Sequence, residues 1–168
     1  MSRAKVFDME TVTIFNPLDV LLRLGAATLI GCVLGINREL RHKPAGLRTH
    51  ALVALGAATV TLAALRLAFD GQEFDRRTAA PIIQGIITGI GFLGAGVILR
   101  DPAGHVQGLT TAASIWVAAC LGVSSGIGFW WESTIALALT MLVLVAGGAV
   151  EKRAHTWFHD DDECKPDS

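Results

Sequence analysis

The apolar residues of this chain are gathered into five long blocks that carry few or no charges. The blocks are 18 to 23 residues long and cover 18–36, 47–69, 81–99, 109–127 and 133–150. A helix needs about 20 mostly apolar residues to cross the ~30 Å hydrocarbon core of a bilayer. The last three blocks contain no Asp, Glu, Lys or Arg, whereas a helix of a soluble protein usually keeps one polar face. The sequence therefore predicts an all-α, polytopic membrane protein: a compact bundle of five transmembrane helices.

The composition disfavours a water-soluble enzyme and gives no reason to expect nucleic acid as a partner. Of the 168 residues, 52% are hydrophobic and 17% are charged, whereas soluble domains contain about 25% charged residues. Too little polar surface is present to cover an apolar core. The formal net charge is −1, so the chain lacks the excess of basic residues that attracts nucleic acid. The three cysteines are scattered, which is not the pattern of a disulfide framework.

Short polar segments flank the apolar blocks. Residues 1–17 carry charges of both signs and precede a block without a small-residue cleavage site, so we expect a periplasmic N-terminal segment and a permanent first span. Residues 18–150 are the predicted transmembrane domain. Residues 151–168 are expected to form a short, disordered, acidic cytoplasmic tail. One His-x-x-x-His pair in that tail is weak support for a metal, and we predict neither a metal site nor a cofactor.

The basic residues are divided unequally between the two faces of the predicted bundle. One face carries eight of the 14 Lys and Arg residues, the other carries four, and Arg23 and Arg66 lie inside spans. Basic residues favour the cytoplasmic side, which places the N-terminus outside and the C-terminus in the cytoplasm. Trp130 and Trp131 then suit the outer interface. The eight residues are Arg38, Arg41, Lys43, Arg48, Arg100, Lys152, Arg153 and Lys165.

The third block is rich in glycine, on two opposite sides of the predicted helix. Glycine faces let helix backbones approach closely in lipid, so we expect this helix to be central and clamped between its neighbours. A glycine-broken helix that unwinds around a substrate is the alternative. The pairs Gly31/Gly35 and Gly122/Gly126 repeat the spacing in the first and fourth spans. The glycines of the third block are Gly85, Gly89, Gly91, Gly94 and Gly96.

Two polar motifs are predicted to meet at the cytoplasmic face. The first is the basic loop 37–46 with the start of the second span, where a helix N-terminus and several cations favour an anion such as a lipid headgroup. The second is the start of the fourth span, where Thr110 and Ser114 project from one side. The alternatives are that the charges only set topology and that the hydroxyls bond to helix carbonyls. The candidate site is Arg38, Glu39, Arg48, Thr49, Thr110, Thr111 and Ser114.

Asp19 and Arg23 are the intramembrane ionisable residues of the first span. Their spacing of four places them on one helix face, where they can pair. Arg23 is close enough to the end of the span for its side chain to extend outward to the interface. A functional role is the alternative, because an ionisable residue within a span marks a functional site by default.

Three sequence segments resemble the MgtC/SapB family of bacterial inner-membrane proteins. They are GLRTHALVALGA at 46–57, GIITGIGFLGAGVI at 85–98 and GLTTAASIWVAACLG at 108–122, and the resemblance runs from about 18 to 150. It implies a five-helix membrane domain, a link to adaptation to low magnesium and, in pathogens, to survival inside phagocytes. It also implies a regulator that binds other membrane proteins.

The chain departs from the family pattern in places. Asn37 stands where the family often has Glu, and Thr110 stands where some virulence-associated members have Asn. Those members also carry a folded domain resembling ACT domains after the last span, where only 18 residues follow Val150 here. We therefore expect a short form of the family, for which a virulence role is in doubt.

The resemblance and the residues together favour a regulatory or interaction protein over two alternatives. An ion transporter or channel is disfavoured for Mg²⁺, which usually needs one or two carboxylates, because spans two to five contain no Asp or Glu. An intramembrane enzyme is not expected, because Ser114 lacks a histidine within the spans to activate it. The expected partners are the lipid bilayer and other membrane proteins, and a homo-oligomer is a further candidate.

Overall fold

The structure, a computed structural model, describes residues 16–69, 76–100 and 105–159. Within these ranges the chain forms five helices and one short antiparallel hairpin between the third and fourth helices. The helices are α1 (Pro17–Leu40), α2 (Leu47–Ala68), α3 (Arg76–Gly96), α4 (Leu109–Ile127) and α5 (Trp130–His159), and the hairpin strands are β1 (Leu99–Arg100) and β2 (Val106–Gln107).

The helix ends follow from local sequence signals. Pro17 lies in the first turn of α1, and the side chain of Asn16 accepts a hydrogen bond from the Leu18 amide at 3.1 Å, so α1 starts with a capped turn. α4 ends at Ile127 and is capped by Gly128, whose φ is 95° and whose amide donates to the Ser124 carbonyl at 3.1 Å. Glycine adopts this left-handed conformation at no steric cost, so the chain turns sharply into α5.

Four helices are long and apolar enough to cross a membrane. They are α1, α2 and α4 over their full lengths and α5 from Trp130 to Gly148. Among the described residues, α3 contributes a shorter apolar segment of 17 residues, Ala80–Gly96. Four of the five predicted spans therefore have the length that a bilayer requires, and the third is shorter.

The central helix is α4. It contacts each of the other four helices. Of the residues in its apolar stretch, 56% are buried inside the bundle. The corresponding share for α5 is 6%, so α5 is peripheral. The core between α1, α2 and α4 is built largely from small residues, with Leu34, Ala54, Ala58 and Ala118 fully buried.

Glycines on α1 and α4 allow these three helices to approach closely. A Cβ atom at Gly31 would lie 2.5 Å from the His50 carbonyl oxygen, and one at Gly126 would lie 2.9 Å from the Ala58 carbonyl oxygen. Backbone therefore packs directly on backbone, and such packing stabilises helix pairs in lipid. The glycines in contacts of this kind are Gly31, Gly35, Gly122 and Gly126.

The prediction that the glycine-rich third helix is central and clamped between neighbours is wrong within the described chain. Gly94 is the one buried glycine of α3, and a Cβ there would lie 3.6 Å from the Ala112 Cβ. The other four are exposed, and a Cβ added at any of them would meet no neighbouring atom within 4 Å. They are Gly85, Gly89, Gly91 and Gly96. α3 is also continuous, so the alternative of a broken helix is wrong as well.

Several predicted boundaries shift, among them the starts of α3, at Arg76 and not 81, and of α5, at Trp130 and not 133. α1 continues beyond residue 36 to Leu40, which adds a helical turn with polar side chains. α3 ends before residue 99, because Leu99 pairs with Gln107 in the hairpin; an apolar run fits a strand as well as a helix. Residues 151–159, predicted as disordered tail, continue α5 as helix. The predictions for 1–15 and 160–168 lie outside the described residues.

Candidate functional site

The buried guanidinium of Arg38 joins the end of α1 to the start of α4. Arg38 is 3% exposed and Thr111 is 1% exposed, and Nη2 of Arg38 donates to Oγ1 of Thr111 at 2.5 Å. The Nε atom of Arg38 and the Oδ1 atom of Asn37 are buried and have no hydrogen-bond partner among the described residues. A buried cation is costly unless it is hydrogen-bonded, so this contact fixes how α1 meets α4.

His50 makes a second polar link, between α2 and α4. It is fully buried in the first turn of α2. Its Nδ1 lies 3.0 Å from the Gly46 carbonyl oxygen, and its Nε2 lies 3.0 Å from Oγ of Ser114. Ser114 in turn donates to the Thr111 carbonyl at 2.8 Å. Arg38, His50, Thr111 and Ser114 thus form one connected group, which we call the polar cluster.

The expectation that Ser114 lacks a histidine within the spans is wrong, because His50 lies one turn inside α2, within the predicted second span, and contacts Ser114. The Ser114–His50 pair has the spacing of a nucleophile and its base. Ser114 is nevertheless 2% exposed and His50 is 0% exposed. Their geometry is that of a cross-link between two packed helices.

An open cavity of about 930 Å³ lies outside the polar cluster, on the turn between α1 and α2. The Glu39 carboxylate accepts a hydrogen bond from the Leu47 amide at 3.0 Å. The N-terminus of α2, where the sequence predicts an anion, therefore already holds a carboxylate of the chain itself. We call this cavity the turn groove, and its lining residues are Glu39, His42, Lys43, Pro44, Gly46, Leu47, Arg48 and Thr49.

The structure divides the predicted site into two parts at one end of the bundle. Arg38, Thr111 and Ser114 lie in the polar cluster. Three of the other predicted residues line the turn groove: Glu39, Arg48 and Thr49.

Thr110 belongs to neither part. It is exposed, whereas Thr111 is buried, so the inward hydroxyls of α4 are three residues apart and not four as predicted. Successive residues are about 100° apart around a helix. Which of the two threonines faces the interior of the bundle therefore depends on how α4 is rotated against its neighbours.

Sequence reasoning missed His50 and Asn37 as members of this region. His50 follows Gly46 by one helical turn, and a polar residue one turn into an apolar block is a recognisable signal. The apolar block ends at residue 36 and so predicts a loop position for Asn37, whereas α1 continues to Leu40.

The opposite end of the bundle holds the predicted Asp19–Arg23 pair. Nε of Arg23 donates to Oδ2 of Asp19 at 2.6 Å, so the predicted pairing is confirmed. Nη1 of Arg23 donates to the Gly126 carbonyl at 3.1 Å and also to the Ile127 carbonyl. Arg23 is 8% exposed, so it does not extend outward to the interface as predicted. It instead caps the C-terminus of α4, where a cation is favoured.

A family model described as the MgtC family matches residues 24–153. The chain is 42% identical over 126 residues to Protein SapB of Bacillus subtilis, and the match covers 74% of this chain and 54% of that protein. It is 39% identical over 134 residues to Protein SrpB of Synechococcus elongatus, covering 76% of this chain and 74% of that protein.

Similarity extends to Protein MgtC of Salmonella typhimurium. The identity is 44% over 126 residues, and the match covers 75% of this chain and 50% of that protein. The chain thus spans about half the length of SapB and MgtC. No solved structure matches the chain.

Proposed function

The chain belongs to the MgtC family, and from this membership we propose that it is a multi-pass inner-membrane protein that regulates or binds other membrane proteins during adaptation to low magnesium. The proposed mode of action is binding and not catalysis, without a cofactor or nucleic acid. The bilayer, other membrane proteins and a second copy of the chain are the proposed partners.

The hydrogen bonds between helices inside the bundle support this proposal. Arg38 contacts Thr111 and His50 contacts Ser114, so these side chains tie helices together. The acidic side chains whose burial the structure describes are Asp19, Glu39 and Glu132, and none of them is fully buried. Asp19, which is partly buried, is paired with Arg23. The interior is therefore organised to hold a fixed arrangement of helices.

The same observation disfavours conduction of Mg²⁺ by a single copy of the chain. Mg²⁺ requires oxygen ligands in near-octahedral geometry and usually binds carboxylates. The guanidinium of Arg38 lies between α1 and α4, where its positive charge repels a divalent cation. The support is therefore stronger for a binding protein than for a magnesium transporter.

We propose that α3 also crosses the membrane, which gives five spans with the N-terminus outside and the C-terminus in the cytoplasm. Its apolar segment of 17 residues is about 25 Å long at 1.5 Å per residue. A short span is accommodated by local thinning of the bilayer. The contacts of α3 with both α2 and α4 support a position within the bundle. The turn groove then lies on the cytoplasmic side.

A Mg²⁺ flux assay distinguishes the proposed binding role from Mg²⁺ transport. Purified chain in liposomes that enclose a Mg²⁺-sensitive dye should admit Mg²⁺ no faster than protein-free liposomes, and a Mg²⁺ ionophore serves as the positive control. Saturable Mg²⁺ entry that the variant Asp19→Asn abolishes would show a transporter.

Partner capture tests the regulatory role directly. Cells that carry the full chain are crosslinked in high and in low magnesium, and the captured membrane proteins are identified. We expect a defined partner whose yield rises in low magnesium, together with improved growth under that condition. Equal capture in both media and no growth effect would contradict the proposed link to magnesium.

A further inference from the structure

The turn groove is lined by more positive than negative groups. Lys43 and Arg48 face it together with His42, and Glu39 is the one acidic residue in its lining. Among the described residues, neither Lys43 nor Arg48 has a carboxylate within ion-pair distance. The groove therefore holds two cations that the described chain does not neutralise.

The single carboxylate in the groove is already engaged. Oε2 of Glu39 accepts the Leu47 amide at 3.0 Å, so the carboxylate caps α2. A cation in the first turn of a helix is disfavoured by the macrodipole, and Arg48 is the second residue of α2. An anion bound in the groove would relieve this repulsion.

The turn that lines the groove has an unusual backbone conformation. His42 and Ala45 have φ values of 51° and 58°, which residues with a Cβ rarely adopt. The amides of His42 and Lys43 donate to the carbonyls of Glu39 and Arg38 at 3.0 and 3.1 Å. His42 is thus held in its unfavourable conformation by hydrogen bonds on both sides of its peptide link to Lys43, which indicates a turn whose shape the surrounding structure maintains.

The depth of the groove in the membrane indicates the source of the anion. Leu40, at the end of an apolar helix, is 77% exposed, and the exposed basic residues begin directly after it. This change from exposed apolar to exposed basic side chains is typical of the lipid headgroup layer. We propose that the turn groove binds the phosphate group of an anionic phospholipid through Lys43 and Arg48.

Lipid retention by the purified full chain tests this proposal. The chain in mild detergent is titrated with phosphatidylglycerol or with phosphatidylcholine of the same acyl chains, and bound lipid is counted by native mass spectrometry. Each basic residue near a headgroup contributes about fivefold in affinity. The double variant Lys43→Gln/Arg48→Gln should therefore bind phosphatidylglycerol about 25-fold more weakly. Arg100→Gln, an exposed arginine outside the groove lining, should change binding less than about twofold.

A variant that strengthens binding separates the proposal from simple misfolding. Gln at position 39 keeps an oxygen for the Leu47 amide but removes the negative charge, so Glu39→Gln should raise the affinity for phosphatidylglycerol about fivefold. Equal binding of the two lipids, or no gain in Glu39→Gln, would overturn the proposal. Inorganic phosphate is the third probe: complete displacement of the lipid at equimolar phosphate would assign the groove to the free anion and overturn the lipid assignment.

This inference is independent of the proposed function. A chain that conducts Mg²⁺ can still bind phosphatidylglycerol in the turn groove, and a regulatory chain can fail to do so. Flux and partner capture therefore test one proposal, and lipid counting tests the other.

Discussion

Arg38 and Thr111 are 73 positions apart in the chain, and their side chains meet at 2.5 Å between Nη2 and Oγ1. Next to them, His50 and Ser114 join α2 to α4 at 3.0 Å. Burial of apolar surface does not drive helix association within lipid, so packing of small residues and hydrogen bonds between helices determine which helices are neighbours. The polar cluster thus defines one end of the arrangement of α1, α2 and α4.

Removal of the Thr111 hydroxyl should destabilise the bundle. In Thr111→Val the guanidinium of Arg38 loses its one hydrogen-bond acceptor among the described residues. Polar links of this kind contribute about 1 kcal/mol in membrane proteins, and we expect the free energy of unfolding to fall by that amount in a detergent titration. The matched control is Thr110→Val, an exposed neighbour, which should change it by less than about 0.5 kcal/mol. Equal effects of the two variants would contradict the contact.

The sequence predicts most of this fold because the bilayer fixes the length of an apolar helix. The blocks located α1, α2, α4 and α5 to within a few residues at most of their ends, and the larger differences have a local cause. Polar residues at the end of α1 continue its helix, and apolar residues after α3 pair in a hairpin. Hydropathy identifies residues that tolerate lipid, and it does not distinguish a helical turn from a loop or a strand at the boundary.

The candidate site is less predictable, since it depends on how the helices are rotated. Sequence spacing places Thr110 and Thr111 equally well beside Ser114. Close packing of Gly122 and Gly126 of α4 against the backbone of α2 sets the rotation that buries Thr111. The same contacts bring His50 to Ser114, across 64 positions of sequence, and no local pattern reveals such a pair.

The coupling between His50 and Ser114 can be measured by a double-mutant cycle. His50→Ala and Ser114→Ala each break the 3.0 Å contact. We therefore expect the double variant to be less destabilised than the sum of the single variants by about 1 kcal/mol. Thermal unfolding in detergent, followed by circular dichroism, gives the three values. Strictly additive effects would show that the two side chains act separately.

Glycine substitutions should separate the packed helix faces from the exposed ones. In Gly122→Ala the new methyl group would overlap the Ala54 backbone of α2, and overpacking of this kind costs about 1–3 kcal/mol. Gly89→Ala on α3 meets no atom within 4 Å and should leave the stability of the monomer unchanged or slightly raised, because alanine favours the helix. Both variants are compared by the same detergent titration. Destabilisation by Gly89→Ala as large as that by Gly122→Ala would show that α3 is packed on this face, as it would be in an oligomer.

The Arg23 contacts at the opposite end predict an order of stabilities. Arg23→Gln removes the partner of Asp19 and also the donor to the Gly126 and Ile127 carbonyls, so it should lower the free energy of unfolding by about 3 kcal/mol. Asp19→Asn leaves the guanidinium on the α4 carbonyls, where the helix dipole still favours it, and should cost about 1 kcal/mol. The exposed Arg48→Gln is the control for loss of an arginine and should cost less than about 0.5 kcal/mol. If Asp19→Asn proved as damaging as Arg23→Gln, the ion pair rather than the cap on α4 would hold this end of the bundle together.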